Sequence, residues 1–204
     1  MICTITKDSI TMSIDLSFNN KRKPSLGRVL LADPFTQNEY FGRSVIYLCE
    51  HNENGSFGFV LTNYLDVNLA DVAKNFPSVS SRISVGGPVQ TDRIFFLHTL
   101  GDELPGSLKI EDGLYMGGDY GLLMDKIKND LIDTNDVRFF LGYSGWDPGQ
   151  LEEEINRKSW IVASVLNPLE VMDTSVSDIW NKFMKREGKK YDILARSPID
   201  FTAN

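Results

Sequence analysis

Glu50-His51 and His98 are, by residue type, the positions in this chain most suited to acid–base chemistry. Histidine ordinarily titrates nearest neutrality, so it can act as base, acid or ligand. Only two are present. Each follows an apolar run, His51 after RSVIYLC at 43–49 and His98 after IFFL at 94–97. If those runs form neighbouring strands, Arg43, Glu50, His51 and His98 converge at one rim of a sheet. There a histidine oriented by Glu50 can serve as general base for a hydrolase or transferase. Arg43 can hold an anionic group. The competing reading is that each histidine only bonds loop backbone.

A second constellation runs from Gly142 through Tyr143, Ser144, Gly145 and Trp146 to Gln150 and the acidic Glu152-Glu153-Glu154. Asp147 suits a helix N-cap, Pro148 the first helical position, and Gln150 the third residue of a capping box. The glutamates then lie where the helix dipole favours negative charge. Tyr143 and Trp146 are thereby expected on an anchored loop between strand and helix, with Trp146 free to stack on a ligand. Ser144 does not sit in a nucleophile elbow, because the last glycine of Gly-x-Ser-x-Gly is Trp146 here. Gly86-Gly87-Pro88 and Gly117-Gly118-Asp119 lack the lysine and spacing of phosphate loops and read as turns. The two histidines have no metal-ligand spacing, so neither a metal nor a cofactor is expected.

These groups need elements to carry them. Runs at 29–32, 43–50, 57–62, 82–85, 94–97, 137–143 and 160–166 read as strands, and 108–110 with 114–116 as a short hairpin. Asn54-Gly55 marks the clearest hairpin turn, between the second and third runs. Helices are expected from Asn68 to Phe76, after Asp119, after Pro148, and after Asp178 up to Gly188. In the last, Ile179, Trp180, Phe183 and Met184 form an apolar stripe that reads as core before it reads as an interaction face. Hairpin-like strands with irregularly inserted helices point to an α+β fold rather than a βαβ array.

Composition narrows the function. The net charge of −7 and scarcity of basic clusters (Lys21-Arg22-Lys23, and Lys185-Arg186 with Lys189-Lys190) argue against direct nucleic-acid binding. Two cysteines, Cys3 and Cys49, make no disulfide framework. With no spanning apolar run and no secretory signal, the expected location is the cytoplasm, off the membrane.

Laid out in this order, the chain resembles the YqgE/AlgH family, whose biochemical function is uncharacterised. The resemblance spans about 27 to 188. It is carried by Arg43-Ser44-Val45-Ile46, by Glu50-His51 through Gly55 to Gly58, and by Gly86-Gly87-Pro88-Val89. Leu97-His98, Gly142-Tyr143-x-Gly145-Trp146 and Gly149-Gln150-Leu151-Glu152-x-Glu154 complete it. Thr62-Asn63-Tyr64 departs from the family's usual Asn, basic residue and Pro, and Ser144 stands where Ala is frequent. The resemblance implies a compact α+β fold with helices around a sheet and motif loops near one another. It brings no catalytic residues. Some members are described as transcriptional regulators.

The combined expectation is an N-terminal extension over 1–24 and one α+β domain over 25–204. Its sheet is expected to be mainly antiparallel (mixed), partly barrel-like and wrapped by helices. A small ligand or protein partner is expected in a polar and aromatic cleft formed by Arg43, Glu50, His51, Gly86, Gly87, His98, Tyr143, Gly145, Trp146 and Gln150. A histidine-based hydrolase or transferase is one alternative. The other is an indirect transcriptional regulator that acts through protein contacts.

Overall fold

The computed structural model describes residues 22–36, 38, 40–66, 76–79 and 81–196. The expected extension up to residue 21, Cys3, and most of the helix expected from Asn68 lie outside the described residues. Nine strands make one sheet: β1 (Arg28–Ala32), β2 (Val45–Asn52), β3 (Gly55–Val60), β4 (Ser84–Val85), β5 (Val89–His98), β6 (Leu108–Glu111), β7 (Leu114–Met116), β8 (Val137–Trp146) and β9 (Trp160–Ser164). Their order is β6-β7-β5-β8-β3-β2-β1-β9, with β4 parallel to β8 and the other pairs antiparallel. The sheet is mixed, as the sequence suggested. It is open: the terminal strands β6 and β9 do not pair, so the expected curvature stops short of a barrel.

Four helices accompany it among the described residues: α1 (Tyr120–Lys128), α2 (Gln150–Asn156), α3 (Ile179–Arg186) and α4 (Lys189–Ala195). Period-two alternation assigns the strands' faces. Val29, Leu31, Val45, Tyr47, Ile161 and Ala163 point to one side, into a core closed by Trp180, Phe183, Met184 and Leu194 of α3 and α4. Leu30, Ile46, Leu48, Trp160 and Val162 point to the other side, against Leu151 of α2. Phe96 and Phe139 similarly bury against Leu123, Met124 and Ile127 of α1. Complete burial of a side chain such as Phe183 contributes about 2 kcal/mol.

The apolar stripe of α3 is interior along its length, so it offers no interaction face. Asp178 caps the helix by accepting from the Asn181 N–H at 3.0 Å, and the Trp180 indole N–H donates to the Ala32 carbonyl at 3.1 Å. Arg186 from the second basic cluster makes two 2.7 Å bonds to Glu170. Helix α4, after Gly188, was not anticipated; its seven residues are too few for a periodic signal.

Strand β8 carries the join between the sheet's two halves. Its first part pairs with β5, while Ser144, Gly145 and Trp146 pair with Gly58, Phe57 and Ser56 of β3. The change of partner falls beside Gly142, which only glycine suits: its φ is 67°, and a Cβ there would come within 2.7 Å of the Gly87 and Val89 carbonyls. Behind the join Arg138 is 0% exposed and faces no carboxylate at ion-pair distance. Its guanidinium instead donates to the carbonyls of Val171 and Leu61, both at 2.5 Å, and to Ser84 Oγ at 3.0 Å. Burial pulls its pKa down to about 10, so the cation persists at neutral pH and ties three chain segments together.

Candidate functional site

A β-bulge starts the site. The β2–β3 register steps from Leu48↔Gly58 to Glu50↔Phe57, leaving Cys49 as the extra residue. Strict alternation would put Glu50 on the Leu48 face, away from Cys49. The bulge instead sets Glu50 beside its cross-strand partner Phe57, on the side where Phe57 meets the α3–α4 core. Cys49 stays buried, and its burial pushes the thiol pKa up, which keeps it protonated and unreactive.

Glu50 and Phe57 lie at the junction of two hollows. One, of about 420 Å³, is bounded by Asn54, Ser56, Tyr143, Gly145, Trp146, Asp147 and Gln150. The other, of about 380 Å³, is bounded by Ile94, Phe95, Phe96, Leu108, Met116 and the Gly117-Gly118 turn. Together they form one cleft, polar at one end and apolar at the other, within the size range of small-molecule sites. Aromatic rings floor the junction: Phe57 lies 4.7 Å from Tyr143 and 5.0 Å from Phe59, and Tyr143 lies 5.5 Å from Phe95.

The structure therefore brings Glu50, Tyr143, Gly145, Trp146 and Gln150 to one cleft. Trp146 differs from its expected role. It ends β8 rather than standing on a loop, and it is 8% exposed. Its indole N–H donates to Glu154 Oε2 at 2.9 Å, and Trp160 donates to the same oxygen at 2.7 Å. Gln150 gives its amide N–H to Glu154 Oε1 at 2.9 Å and accepts from the Asp147 N–H at 3.0 Å. The acceptance from Asp147 is the expected capping contact, although α2 begins only at Gln150, after Gly149 in the left-handed region (φ 79°). Glu154, which the sequence placed only in a helix dipole, holds the cleft's outer wall through three hydrogen bonds. The stacking faces it leaves available belong to Tyr143 and Phe57.

Gly86 and Gly87 do not line the cleft; they allow two backbones to touch. A Cβ on Gly86 would come within 2.4 Å of the Gly142 carbonyl, and one on Gly87 within 2.0 Å of the Tyr143 backbone. Their turn is thus packed behind Tyr143, with the Gly86 carbonyl accepting from Val60 N–H at 2.8 Å and Ser144 Oγ at 3.3 Å. That last bond places Ser144 in the interior.

His51 stands at the rim. Its Nδ1 is 2.8 Å from Ser56 Oγ, and its Nε2 is 3.4 Å from Glu152 Oε1. Ser56 is a cleft residue, whereas Glu50, the carboxylate expected to orient the ring, bonds Asn52 Nδ2 at 2.7 Å. A proton on Nε2 facing Glu152 leaves Nδ1 to accept from the serine hydroxyl.

The other two predicted members lie elsewhere. Arg43 precedes β2 at the opposite end from Glu50, its guanidinium 5.3 Å over the Trp180 ring. His98 is 0% exposed at the end of β5 that pairs with Val137, away from Tyr143, which faces Val89. The Leu100 N–H donates to His98 Nδ1 at 3.2 Å, which puts the ring proton on Nε2. That N–H lies 3.0 Å from the Gly117 carbonyl and 2.9 Å from Ser107 Oγ. Burial holds the imidazole below its ordinary pKa, with the Gly117 bond opposing. His98 is a neutral structural residue behind the turn that walls the apolar hollow.

With Arg43 displaced, the cleft's lining contains Glu50 and Asp147 and no lysine or arginine. An anionic group has no counter-charge there. A further hollow of about 560 Å³ lies beside Arg82, Asp136 and Asp173 and shares no lining residue with the cleft. Arg82 stacks 3.6 Å over Tyr64, Asp136 accepts from Thr99 Oγ1 at 2.9 Å, and Asp173 accepts twice from Ser175. Among the described residues no three His, Cys, Asp or Glu side chains group as metal ligands, and no helix is long and apolar enough to cross a membrane.

Comparisons with known proteins bear on the family and the fold. The AlgH-like family model matches residues 29–192, most of the chain. The chain is 37% identical over 172 residues to a UPF0301 protein of Chlorobium limicola, covering 84% of this chain and 91% of the relative. A UPF0301 protein of Parabacteroides distasonis is 40% identical over 184 residues, with 89% and 92% covered. A Corynebacterium diphtheriae crystal structure aligns with a TM-score of 0.71 at 28% identity, covering 86% of this chain and 94% of that one. The solution structure of AlgH from Pseudomonas aeruginosa aligns with a TM-score of 0.68, also at 28% identity, covering 89% and 98%. The chain belongs to the AlgH-like family.

Proposed function

We propose that this protein is a binding protein whose small ligand or partner occupies the cleft between the Ser56–Gln150 mouth and the Phe95–Met116 trough. The carrying observation is that a polar and an apolar hollow share Glu50 and Phe57, so one molecule can span both. Precisely placed polar groups next to apolar wall are the ordinary make-up of a recognition site. Amide shifts in ¹⁵N-labelled protein, recorded during a metabolite and fragment screen, test this. Changes are expected at Gly55, Gly145 and Gly117, and Phe57→Glu should abolish them. Shifts confined to the hollow around Thr174 and Ser175 would move the site there.

A second reading is favoured by one observation, the chain of contacts Ser56–His51–Glu152. In it Ser56 is the nucleophile of a hydrolase or transferase and His51 its general base, with Glu152 in the orienting role first given to Glu50. A fluorophosphonate probe should label Ser56 and fail on Ser56→Ala and His51→Ala. Equal labelling of all three proteins would discard the reading. Regulation of transcription, a description carried by some members of the family, would follow from either reading through a bound ligand or partner rather than through DNA contact, given the net charge of −7.

A further inference from the structure

Resting on the cleft as the binding site, we propose that its ligand is a small organic cation: an amine or guanidine carrying an aromatic or aliphatic body. Three features of the groove point the same way. The first is charge. Glu50 and Asp147 are the charged side chains of its lining, and the chain as a whole is acidic. A carboxylate or phosphate entering there meets like charge with no cation to offset it, whereas an ammonium meets complementary charge.

The second is hydrogen-bonding capacity. Glu50 Oε1 is engaged by Asn52, and among the described residues Oε2 and the Asp147 carboxylate accept no hydrogen bond. The neighbouring Gln150 amide spends its oxygen on the Asp147 N–H and one of its two N–H groups on Glu154. The charged capacity at the mouth, that of Glu50 and Asp147, is therefore acceptor capacity, which a ligand with several N–H groups can fill.

The third is the floor. The rings of Phe57 and Tyr143, 4.7 Å apart, belong to the lining beside Glu50, and Phe57 borders the trough as well. The negative face of an aromatic ring attracts a cation and repels an anion. Beyond them Ile94, Phe95, Leu108 and Met116 give an apolar wall, and Leu108 is largely exposed as though awaiting cover. A cationic head at Glu50 thus has its body directed into the trough by the same molecule's geometry.

The test uses 2-phenylethylamine, 2-phenylethanol and phenylacetate, which share a ring and a two-carbon frame and differ in charge at neutral pH. Each is titrated into ¹⁵N-labelled wild-type protein and into Glu50→Gln. The amine is expected to shift the amides of Gly55, Gly145 and Gly117 with affinity about tenfold above the alcohol, equivalent to about 1.4 kcal/mol. Phenylacetate should bind most weakly, and Glu50→Gln should bring the amine down to the alcohol. Asp147→Asn serves the same purpose should Glu50→Gln fail to fold. Alcohol or acetate binding as tightly as the amine at those amides overturns the cationic class and leaves the cleft standing. Shifts by all three probes away from those amides overturn both. A Lys-containing tripeptide that outbinds the amine at the same amides overturns the small-molecule occupant in favour of a basic polypeptide.

Discussion

The two histidines end up in opposite circumstances although both sit at the end of a strand. His51 is half-buried on the β2–β3 hairpin, with one ring nitrogen on a cleft serine and the other towards Glu152. His98 is sealed behind the Gly117 turn, both nitrogens committed to Leu100 N–H, the Gly117 carbonyl and Ser107. One keeps its two contacts at the rim of the cleft. The other is unavailable for chemistry and holds the apolar wall of the cleft in place. The difference teaches that a strand-end histidine takes its role from what covers it, here the turn entering and leaving β6 and β7.

Replacing His98 breaks the comparison most severely. His98→Ala strips the part-buried Leu100 N–H of its partner and leaves the Gly117 carbonyl only the 3.3 Å contact from Ser107 Oγ, at a cost of about 2 kcal/mol, read as a lowered denaturation midpoint with unchanged slope. Because α1 and β7 flank that turn, amide shifts should reach Gly117 and Gly118 before they reach Gly55.

Acidification separates the two next. The folded state holds His98 neutral with its pKa lowered, while the unfolded chain protonates near its ordinary value of about 6.5. The stabilisation is thus complete above about pH 6.5 and declines as pH falls through that value towards the folded pKa, by at most about 1.4 kcal/mol per pH unit. His98→Gln should flatten that part of the stability–pH curve. An unchanged slope in His98→Gln would assign the loss to other groups.

Trp146→Phe sharpens the contrast on the His51 side. It removes the indole bond to Glu154 while Trp160 and Gln150 still bond that carboxylate, so a loss of about 1 kcal/mol is expected in chemical denaturation. Ligand affinity should change less than with Tyr143→Ala, since the indole is a wall support and the Tyr143 ring is a face of the cleft. The smallest effect belongs to His51→Ala, within about 0.5 kcal/mol in stability, because its contacts lie at a solvent-reached rim. A loss as large as that of His98→Ala would mean that both histidines are structural.

Much of the fold could be read from local pattern. Alternation in 29–32, 43–50 and 160–166 marked strands, the Asn54-Gly55 region marked their hairpin, and Asp119 and Asp178 marked helix starts that the structure retains. Boundaries moved where a nonlocal partner extended an element. Strand β8 runs on to Trp146 because β3 pairs with its end, and β5 reaches back to Val89 because Tyr143 faces it. The candidate site was legible only in part. Glu50, Tyr143, Gly145 and Gln150 were found because polar, aromatic and glycine residues clustered in two short motifs. Ser56 and Phe57 were passed over because nothing distinctive marks them in the chain, Asp147 was read as a helix cap although the cap is Gly149, and Arg138 was missed because a lone arginine in an apolar run gives no hint that three carbonyl and hydroxyl oxygens await it.

By itself the sequence determined most of the secondary elements and the mainly antiparallel α+β class, since these follow from side-chain periodicity, capping and turn chemistry over a few residues, while its motifs carried the resemblance to the family. The tertiary structure alone decided that Arg43 and His98 leave the site, that Trp146 sinks into the wall and that Glu50 turns towards Phe57. Each of those outcomes rests on a contact between distant segments, on one bulge at Cys49 and on one change of strand partner at Gly142. A shift of a single residue reverses which face a strand side chain meets, so the sign of charge in the cleft is set by register rather than by composition.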